Sequence, residues 1–361
     1  MHVVLSGYYG FDNVGDEAIL FSIVQALREV QPDIEITVLS NNPDHTAKTY
    51  DVKAVNRWKF GEVSATIKAS DGLISGGGSL LQDQTGMKSI PYYTGIMRIA
   101  RWHKKPVFIY AQGMGPINRG ISKWFVRSTL NKVSGITVRD VDSQKLLQGI
   151  GVKLPISIVP DPVLGLAGKS FTSVWEPHEL GDQFVTVSVR DWPSEVKFKE
   201  KIAGGLDELV REGYGVVFVP MHGEHDAVAS KETADLMKEK SFIYPSNASI
   251  EEKIAIIGES RLLIGMRLHA LIFSAVTRTP FIGLSYDPKI NSFAAICEQP
   301  IAGHVNENNW DSASLALQAK QSLDKLEQQE QLVSKHVEVL NENAIETARM
   351  AVDIFTKAAH R

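Results

Sequence analysis

Between Leu263 and Ile290 the chain reads LIGMRLHALIFSAVTRTPFIGLSYDPKI, and this stretch limits the fold more than any other. Two short apolar runs, Leu262 to Ile264 and Phe281 to Leu284, flank a helix-length segment, Leu268 to Val276, that closes at Thr279-Pro280. Runs this short and this apolar read as strands buried on both faces, the kind that parallel sheets with helical crossovers contain. Charged and titratable side chains follow each run: Arg267 and His269 after the first, Asp287 and Lys289 after the second. Ligands of open parallel sheets bind beyond the carboxyl ends of the strands. Two cations and an imidazole at that edge therefore point to an anionic substrate carrying phosphate or carboxylate. An ordinary helix-start arginine and a hydrogen-bonded core histidine would give the same letters. A cation in the first turn of a helix, however, opposes the macrodipole, and a bound anion removes that conflict.

The same unit recurs along both halves as strand-helix repeats of about 30 residues, which build parallel sheets. Val3 to Ser6 is a strand that runs into GYYGFDNVGDEAIL, where Asn13 or Asp16 can cap a helix carrying Ile19, Ile23, Ala26, Leu27 and Val30 at helical spacing. A strand, a glycine-bearing loop and a helix form a candidate anion cradle. The loop is not G-x-G-x-x-G, and it holds the acidic set Asp12, Asp16 and Glu17, which disfavours a dinucleotide. Ile34 to Leu39 is the next strand, followed by an expected polar loop from Ser40 to Thr49. Asp71 to Ser75 runs into Gly76-Gly77-Gly78-Ser79. Three glycines in a row are costly unless the backbone must bend or approach something closely; a ligand, an opposing wall and a tight packing turn all fit. Val107 to Ala111 exits into QGMGPI, Ile136 to Val138 into Arg139-Asp140, and Ile156 to Val159 into Asp161-Pro162.

Residues 165 to 182, rich in Gly, Ser and Pro, read as a linker, after which the pattern restarts. Phe184 to Val189 ends in Arg190-Asp191, Phe198 to Arg211 is helical, and Gly215 to Val219 ends in Pro220-Met221-His222. The run His222-Gly223-Glu224-His225-Asp226 invites a metal reading, yet no H-E-x-x-H helix follows, so a substrate-facing loop or helix cap is expected. Asp311 to about Lys357 reads as one helix whose narrow stripe of Leu332, Leu340, Ala344, Ala348 and Ala351 packs along a surface. The expected architecture is α/β: two Rossmann-like domains facing a cleft, residues 1–168 and 183–310, with a helical region 311–361 returning to the first.

Composition excludes more than it selects. A net charge of -4 with 22% charged residues gives no basic field for general nucleic-acid binding. Cys297 is the sole cysteine, so neither an intramolecular disulfide nor a Cys-rich metal site can form, and a reducing cytoplasm fits. No uncharged apolar stretch reaches the about 18 residues of a membrane span, and MHVVLSGYYG reads as a strand instead of a signal peptide. Arg98, Arg101, His103, Lys104 and Lys105, near Tyr92, Tyr93 and Trp102, suit either a solvated helix face or peripheral contact with anionic headgroups.

GYYGFDNVGDEAIL, GGGSLLQD, YAQGMGPI, TVRD, SVRDW, and GMRLHALIFSA followed by YDPKI together resemble the polysaccharide pyruvyl transferase family, close to its bacterial CsaB type, from residue 3 to about residue 296. The resemblance implies a GT-B-like fold and transfer of a pyruvyl group from phosphoenolpyruvate to a sugar. For the CsaB type it implies a lipid-linked secondary cell-wall precursor and a 4,6-ketal product that anchors S-layer-homology proteins; the expected location is the cytoplasm, with room for peripheral contact at the inner face of the plasma membrane. It assigns Arg267, Leu268 and His269 to donor binding and catalysis, with Lys289 beside them. The residues suit that chemistry on their own terms. A small, strongly anionic donor needs fixed cations, and Arg267, Lys289, and Arg139 or Arg190 stand at strand exits. Protonating the donor methylene needs an acid that titrates near neutrality, and His269 is the best placed. Asn13, Asp16, Glu17, Gly77 and Gly78 are the expected acceptor-side groups, with Asp16 a second base. No cofactor and no metal is expected. A GT-B glycosyltransferase using a nucleotide sugar, or a non-catalytic sugar- or anion-binding protein, would use the same scaffold.

Overall fold

Crossover by helices keeps successive strands parallel, and in a computed structural model every strand pairing among the described residues is parallel. The structure describes residues 1–11, 13–84, 86–173 and 183–359. Asp12 of the acidic loop and residues 174–182 of the expected linker lie outside the described residues. The chain divides into two units, Met1–Gly165 with Leu340–Arg361, and Leu166–Val339.

Unit 1 runs β1 (His2–Ser6), α1 (Val14–Val30), β2 (Glu35–Ser40), α2 (Pro43–Tyr50), β3 (Lys53–Asn56), α3 (Phe60–Ala69), β4 (Gly72–Ser75), β5 (Gly78–Leu81), α4 (Ser89–Trp102), β6 (Val107–Met114), α5 (Gly120–Leu130), β7 (Gly135–Val138), α6 (Val141–Gly149) and β8 (Ser157–Ile158). Its sheet is ordered β3-β2-β1-β4-β6-β7-β8, with β5 pairing β6. Unit 2 runs β9 (Phe184–Ser188), α7 (Phe198–Arg211), β10 (Gly215–Phe218), α8 (Gly223–Asp235), β11 (Phe242–Ile243), α9 (Ile250–Glu259), β12 (Leu262–Gly265), α10 (Leu268–Val276), β13 (Phe281–Ser285), α11 (Pro288–Ile296), β14 (Ile301–His304), α12 (Ser312–Asp324) and the start of α13 (Leu326–Ala359). Its order is β11-β10-β9-β12-β13-β14.

Each sheet grows outward from its first strand and then reverses to that strand's other side. The reversal falls between β1 and β4 in unit 1 and between β9 and β12 in unit 2. Loops diverge at such a point and leave room for a ligand beyond the carboxyl ends. In each unit that reversal is the expected place for a ligand crevice, and the glycine-bearing loops and charged exits of the sequence lie along the same carboxyl edge.

Three expectations need correction. Ser40 to Thr49 is not a loop: Pro43 starts α2, whose Thr46 and Tyr50 are buried. Residues 311–357 are not one helix, because α12 ends at Asp324 and α13 begins at Leu326. The stripe of α13 also differs: Val333 and Val337 are buried in unit 2, and Ala344, Ala348, Ala351, Val352 and Phe355 in unit 1. Phe355 lies so close over the start of β4 that a Cβ at Gly72 would stand 2.5 Å from its ring. Ile354 meets Gly135, at the start of β7, in the same way, with 2.7 Å to a built Cβ. Glycine at these two strand starts lets the helix settle directly on the sheet.

Candidate functional site

In unit 1 the crevice is shaped by α1 pressing onto the triple glycine. A Cβ at Gly76 would lie 2.1 Å from the Tyr9 hydroxyl, at Gly77 2.7 Å from Ile19, and at Gly78 2.6 Å from Asp16 Oδ1. Gly78 also has φ +84, which other residues resist. Close packing against Tyr9 of the preceding loop and against the first helix thus accounts for all three. Asn13 caps that helix, its Oδ1 accepting from the Gly15 N–H at 3.1 Å. Glu17, an expected acceptor-side group, ties the loop to α2: one oxygen accepts from the Gly10 N–H at 2.7 Å, the other from the Tyr50 hydroxyl at 2.7 Å.

Asp16 retains some exposure, yet burial pushes its carboxyl up to about 7, against the pull of Arg139 and with help from Glu17 and Asp161. The fully buried Tyr9 hydroxyl has no hydrogen-bond partner among the described residues, and burial with the nearby Asp16 raises its pKa well above the usual phenol value. Arg139 leaves β7 and turns back over Gly113, where a Cβ would stand 2.8 Å from Nε. Its guanidinium reaches Asp161 at 3.4 Å, Asp140 at 3.9 Å and Ser79 Oγ at 3.1 Å. Arg139 therefore belongs with Asp16 and Ser79 in unit 1. A carboxyl titrating near neutrality beside a fixed guanidinium can take a proton from a hydroxyl at physiological pH.

In unit 2 the exits of four adjacent strands carry the polar set: His222 after β10, Arg190 after β9, Arg267 and His269 after β12, and Tyr286, Asp287 and Lys289 after β13. Arg267 occupies the N-cap of α10 without capping it, since its guanidinium turns to Asp226. Nε donates to Asp226 Oδ2 at 2.8 Å and Nη2 donates to Oδ1, a bidentate pair whose carboxylate is 1% exposed and whose guanidinium side chain is 20% exposed. Nη1 makes no hydrogen bond among the described residues. Asp226, in the first turn of α8, also accepts from the Met221 N–H at 3.2 Å. Below it Lys253 is fully buried; Nζ donates to the Ser246 carbonyl at 2.8 Å, and burial pushes its pKa down to about 8 despite Asp226 and Glu252.

Arg190 donates from Nη1 to the Tyr286 hydroxyl at 3.0 Å and lies over the rings of Tyr286 and Trp192, 4.8 and 5.3 Å from their centroids. His222 stands near His225, ring centroids 5.5 Å apart, and burial with the positive fields of Arg267 and Arg190 lowers its pKa. Leu268 and His269 form the half-buried first turn of α10, and Lys289 is exposed at the start of α11, where its N–H donates to Asp287 Oδ1 at 2.9 Å. Ser188 and Ser285, buried at the ends of β9 and β13, have hydroxyls with no hydrogen-bond partner among the described residues. Cations, imidazoles, unpaired hydroxyls and a helix start pointing its dipole outward favour a small anion at this edge. Among the described residues no group of three or more His, Cys, Asp or Glu side chains is placed to hold a metal ion.

Reading the sequence missed Asp226, Lys253 and the two serines. The signal for Asp226 was present, because it ends the run that invited a metal reading; its partner is a guanidinium instead.

The family model for polysaccharide pyruvyl transferase matches residues 13–288, from the cap of α1 to the start of α11. The chain belongs to the polysaccharide pyruvyl transferase family. The search of curated proteins gave no significant match. Among solved structures, the chain is similar to a putative UDP-N-acetylglucosamine 2-epimerase from Listeria monocytogenes, with TM-score 0.64, 14% identity, and coverage of 92% of this chain and 90% of that one. It is likewise similar to UDP-GlcNAc 2-epimerase from Neisseria meningitidis, with TM-score 0.64 at 10% identity over 99% and 100% of the two chains. A glycosyltransferase from Rickettsia africae gives TM-score 0.59 at 13% identity over 99% and 98%. At such identities the likeness concerns the fold, which is α/β and GT-B-like. No helix among the described residues is long and apolar enough to cross a membrane.

Proposed function

We propose that this pyruvyl transferase takes its pyruvyl group from phosphoenolpyruvate and places it on a sugar of a lipid-linked cell-wall precursor, at the cytoplasmic face of the membrane. The product is a 4,6-ketal of the CsaB kind, which serves to anchor S-layer proteins. The observation that carries the reading is the pre-oriented pair of guanidiniums at the β9/β12 crevice, Arg267 held by Asp226 and Arg190 held by Tyr286, with His222 and His269 at the same edge. Because Asp226 already balances Arg267, that arginine contributes direction more than net charge. Arg190, Lys289 and the N-terminus of α10 supply the rest of the attraction for the trianion.

In the first step His269 gives a proton to the donor methylene carbon, and a sugar hydroxyl adds to C2 as it becomes electron-poor. In the second, the C–O bond to phosphate breaks as the neighbouring sugar hydroxyl adds to C2, inorganic phosphate leaves with the bonding pair, and His269, neutral after the first step, takes that second hydroxyl's proton. Asp16 is the acceptor-side base in this reading and takes the first hydroxyl's proton. The test is phosphate release from phosphoenolpyruvate with lipid-linked sugar acceptors, beside a panel of nucleotide sugars. Release should depend on acceptor, and His269→Ala should cut kcat about 10²–10⁴-fold while phosphoenolpyruvate still binds. Consumption of a nucleotide sugar with phosphoenolpyruvate untouched overturns the donor. Full transfer by His269→Ala overturns the acid assignment.

A further inference from the structure

Three consecutive helices of unit 1 begin alike. Trp58-Lys59-Phe60 opens α3, Met87-Lys88 opens α4, and Arg119-Gly120-Ile121 with Lys123-Trp124 opens α5. Lys59, Lys88 and Arg119 each occupy the N-cap, and none makes a side-chain cap bond. Helix starts favour Ser, Thr, Asp or Asn there, and the macrodipole disfavours a cation, so the helices themselves gain nothing from these residues. The neighbouring apolar side chains face water: Trp58 is 54% exposed, Phe60 51%, Met87 68%, Ile121 64% and Trp124 49%.

Topology puts the three starts together. Every strand of the sheet is parallel and α3, α4 and α5 each return from carboxyl ends, so they share the edge that holds Asp16 and Arg139. α4 packs between α3 and α5. Tyr92 of α4 links Trp58 and Phe60, with ring centroids 5.3 and 6.2 Å away, and Arg98 of α4 supports Trp124 from 5.6 Å. Asp83 binds the N–H groups of Asn118 and Arg119, at 2.9 Å each, and so ties the loop before α4 to the loop before α5.

The charge of this surface opposes that of the whole chain. Lys88, Arg119 and Lys123 form no ion pair among the described residues, Lys59 pairs with Glu62, and Asp83 is buried. Exposed apolar side chains set among cations along one edge fit an interface between hydrocarbon and anionic headgroups, where indole rings rest at headgroup depth and lysines meet phosphate. We propose that the carboxyl edge of unit 1 docks on a membrane surface bearing anionic phospholipid, through Trp58, Phe60, Met87, Ile121 and Trp124 with Lys88, Arg119 and Lys123. The inference goes beyond the pyruvyl-transfer reading and does not depend on its donor. Of the basic cluster singled out in the sequence, Tyr92 and Arg98 support this patch from within α4, Tyr93 is buried, and Trp102 is exposed at the other end of the helix.

Sedimentation of the full chain with phosphatidylcholine vesicles, with and without phosphatidylglycerol, tests this without any substrate. Binding should require phosphatidylglycerol and weaken with salt. Lys88→Ala with Lys123→Ala should lower affinity roughly 25-fold, at about fivefold for each charge. Met87→Ser with Ile121→Ser, both at exposed positions that leave the core untouched, should abolish sedimentation, whereas Trp102→Ala should bind as the parent does. Failure of the parent to sediment with phosphatidylglycerol, or equal binding by the patch variants, overturns the proposal. So does light scattering that finds a dimer dispersed by the patch variants with no vesicle binding by the parent, since the surface then serves a second copy of the chain.

Discussion

Cutting the Arg267–Asp226 pair tests whether the unit 2 crevice is built around an oriented guanidinium. The two halves of the pair are unequally buried, with the carboxylate 1% and the guanidinium side chain 20% exposed. Arg267→Ala strands a buried carboxylate that retains the Met221 N–H and the field of Lys253. Removing one partner of a buried pair costs about 3–5 kcal/mol, and those two residual contacts put this variant near 3. Asp226→Ala leaves a guanidinium that can turn to solvent, so its cost is the two charge-assisted hydrogen bonds less their rehydration, about 2 kcal/mol. The double variant strands neither charge. It should cost about 2–3 kcal/mol less than the sum of the singles, the upper range for groups in direct contact. Urea unfolding of the four proteins gives the cycle. Singles that add to within about 0.5 kcal/mol of the double would refute the reasoning, since independent sites behave that way. Asp226→Asn supplies the functional arm: it keeps the Arg267 charge but loosens its aim, so the KM for phosphoenolpyruvate should rise more than kcat falls.

Two further outcomes follow from unit 1. Burial raises Asp16 from the ordinary carboxylate range to about 7, so the folded chain keeps a proton there that the unfolded chain releases; stability from this group is present at low pH and is lost as pH rises through about 7. Asp16→Asn should therefore flatten the fall in urea midpoint between about pH 5 and pH 8, and an unchanged slope counts against the assignment. Tyr9→Phe removes a buried hydroxyl that has no partner among the described residues, so it should be neutral or stabilising by up to about 1 kcal/mol in urea. A clear loss of stability would mean that the hydroxyl is satisfied by a water or a ligand.

Most of the strands and some of the helices could be read from the sequence because burial on both faces leaves compact apolar runs, and charged residues mark where those runs end. α10 is the clearest case: its residues 268–276 are bounded by Arg267 and by Thr279-Pro280. α2 escaped because Pro-Asp-His-Thr looks like a turn, and a helix that buries just Thr46 and Tyr50 leaves little apolar period. The break between α12 and α13 falls at Lys325 with neither glycine nor proline to announce it. Pairings were harder still. Asp226 and Arg267 are 41 residues apart, and they meet because β10 and β12 both flank β9, an order that no local pattern encodes. The glycines of the GGG run could be recognised as a close approach, but not what approaches: Tyr9, Ile19 and Asp16 lie one strand and one helix turn away.

The route of α13 bears on how the protein is made. Phe355 and Ile354 cover strand starts in unit 1, yet a ribosome reaches them about 190 residues after Gly165, or about 10–40 s later at ordinary elongation rates. Until then the notch over Gly72 and Gly135 stands open on a nascent sheet, and apolar surface exposed in this way is prone to aggregate. The half of the enzyme synthesised first is the half completed last.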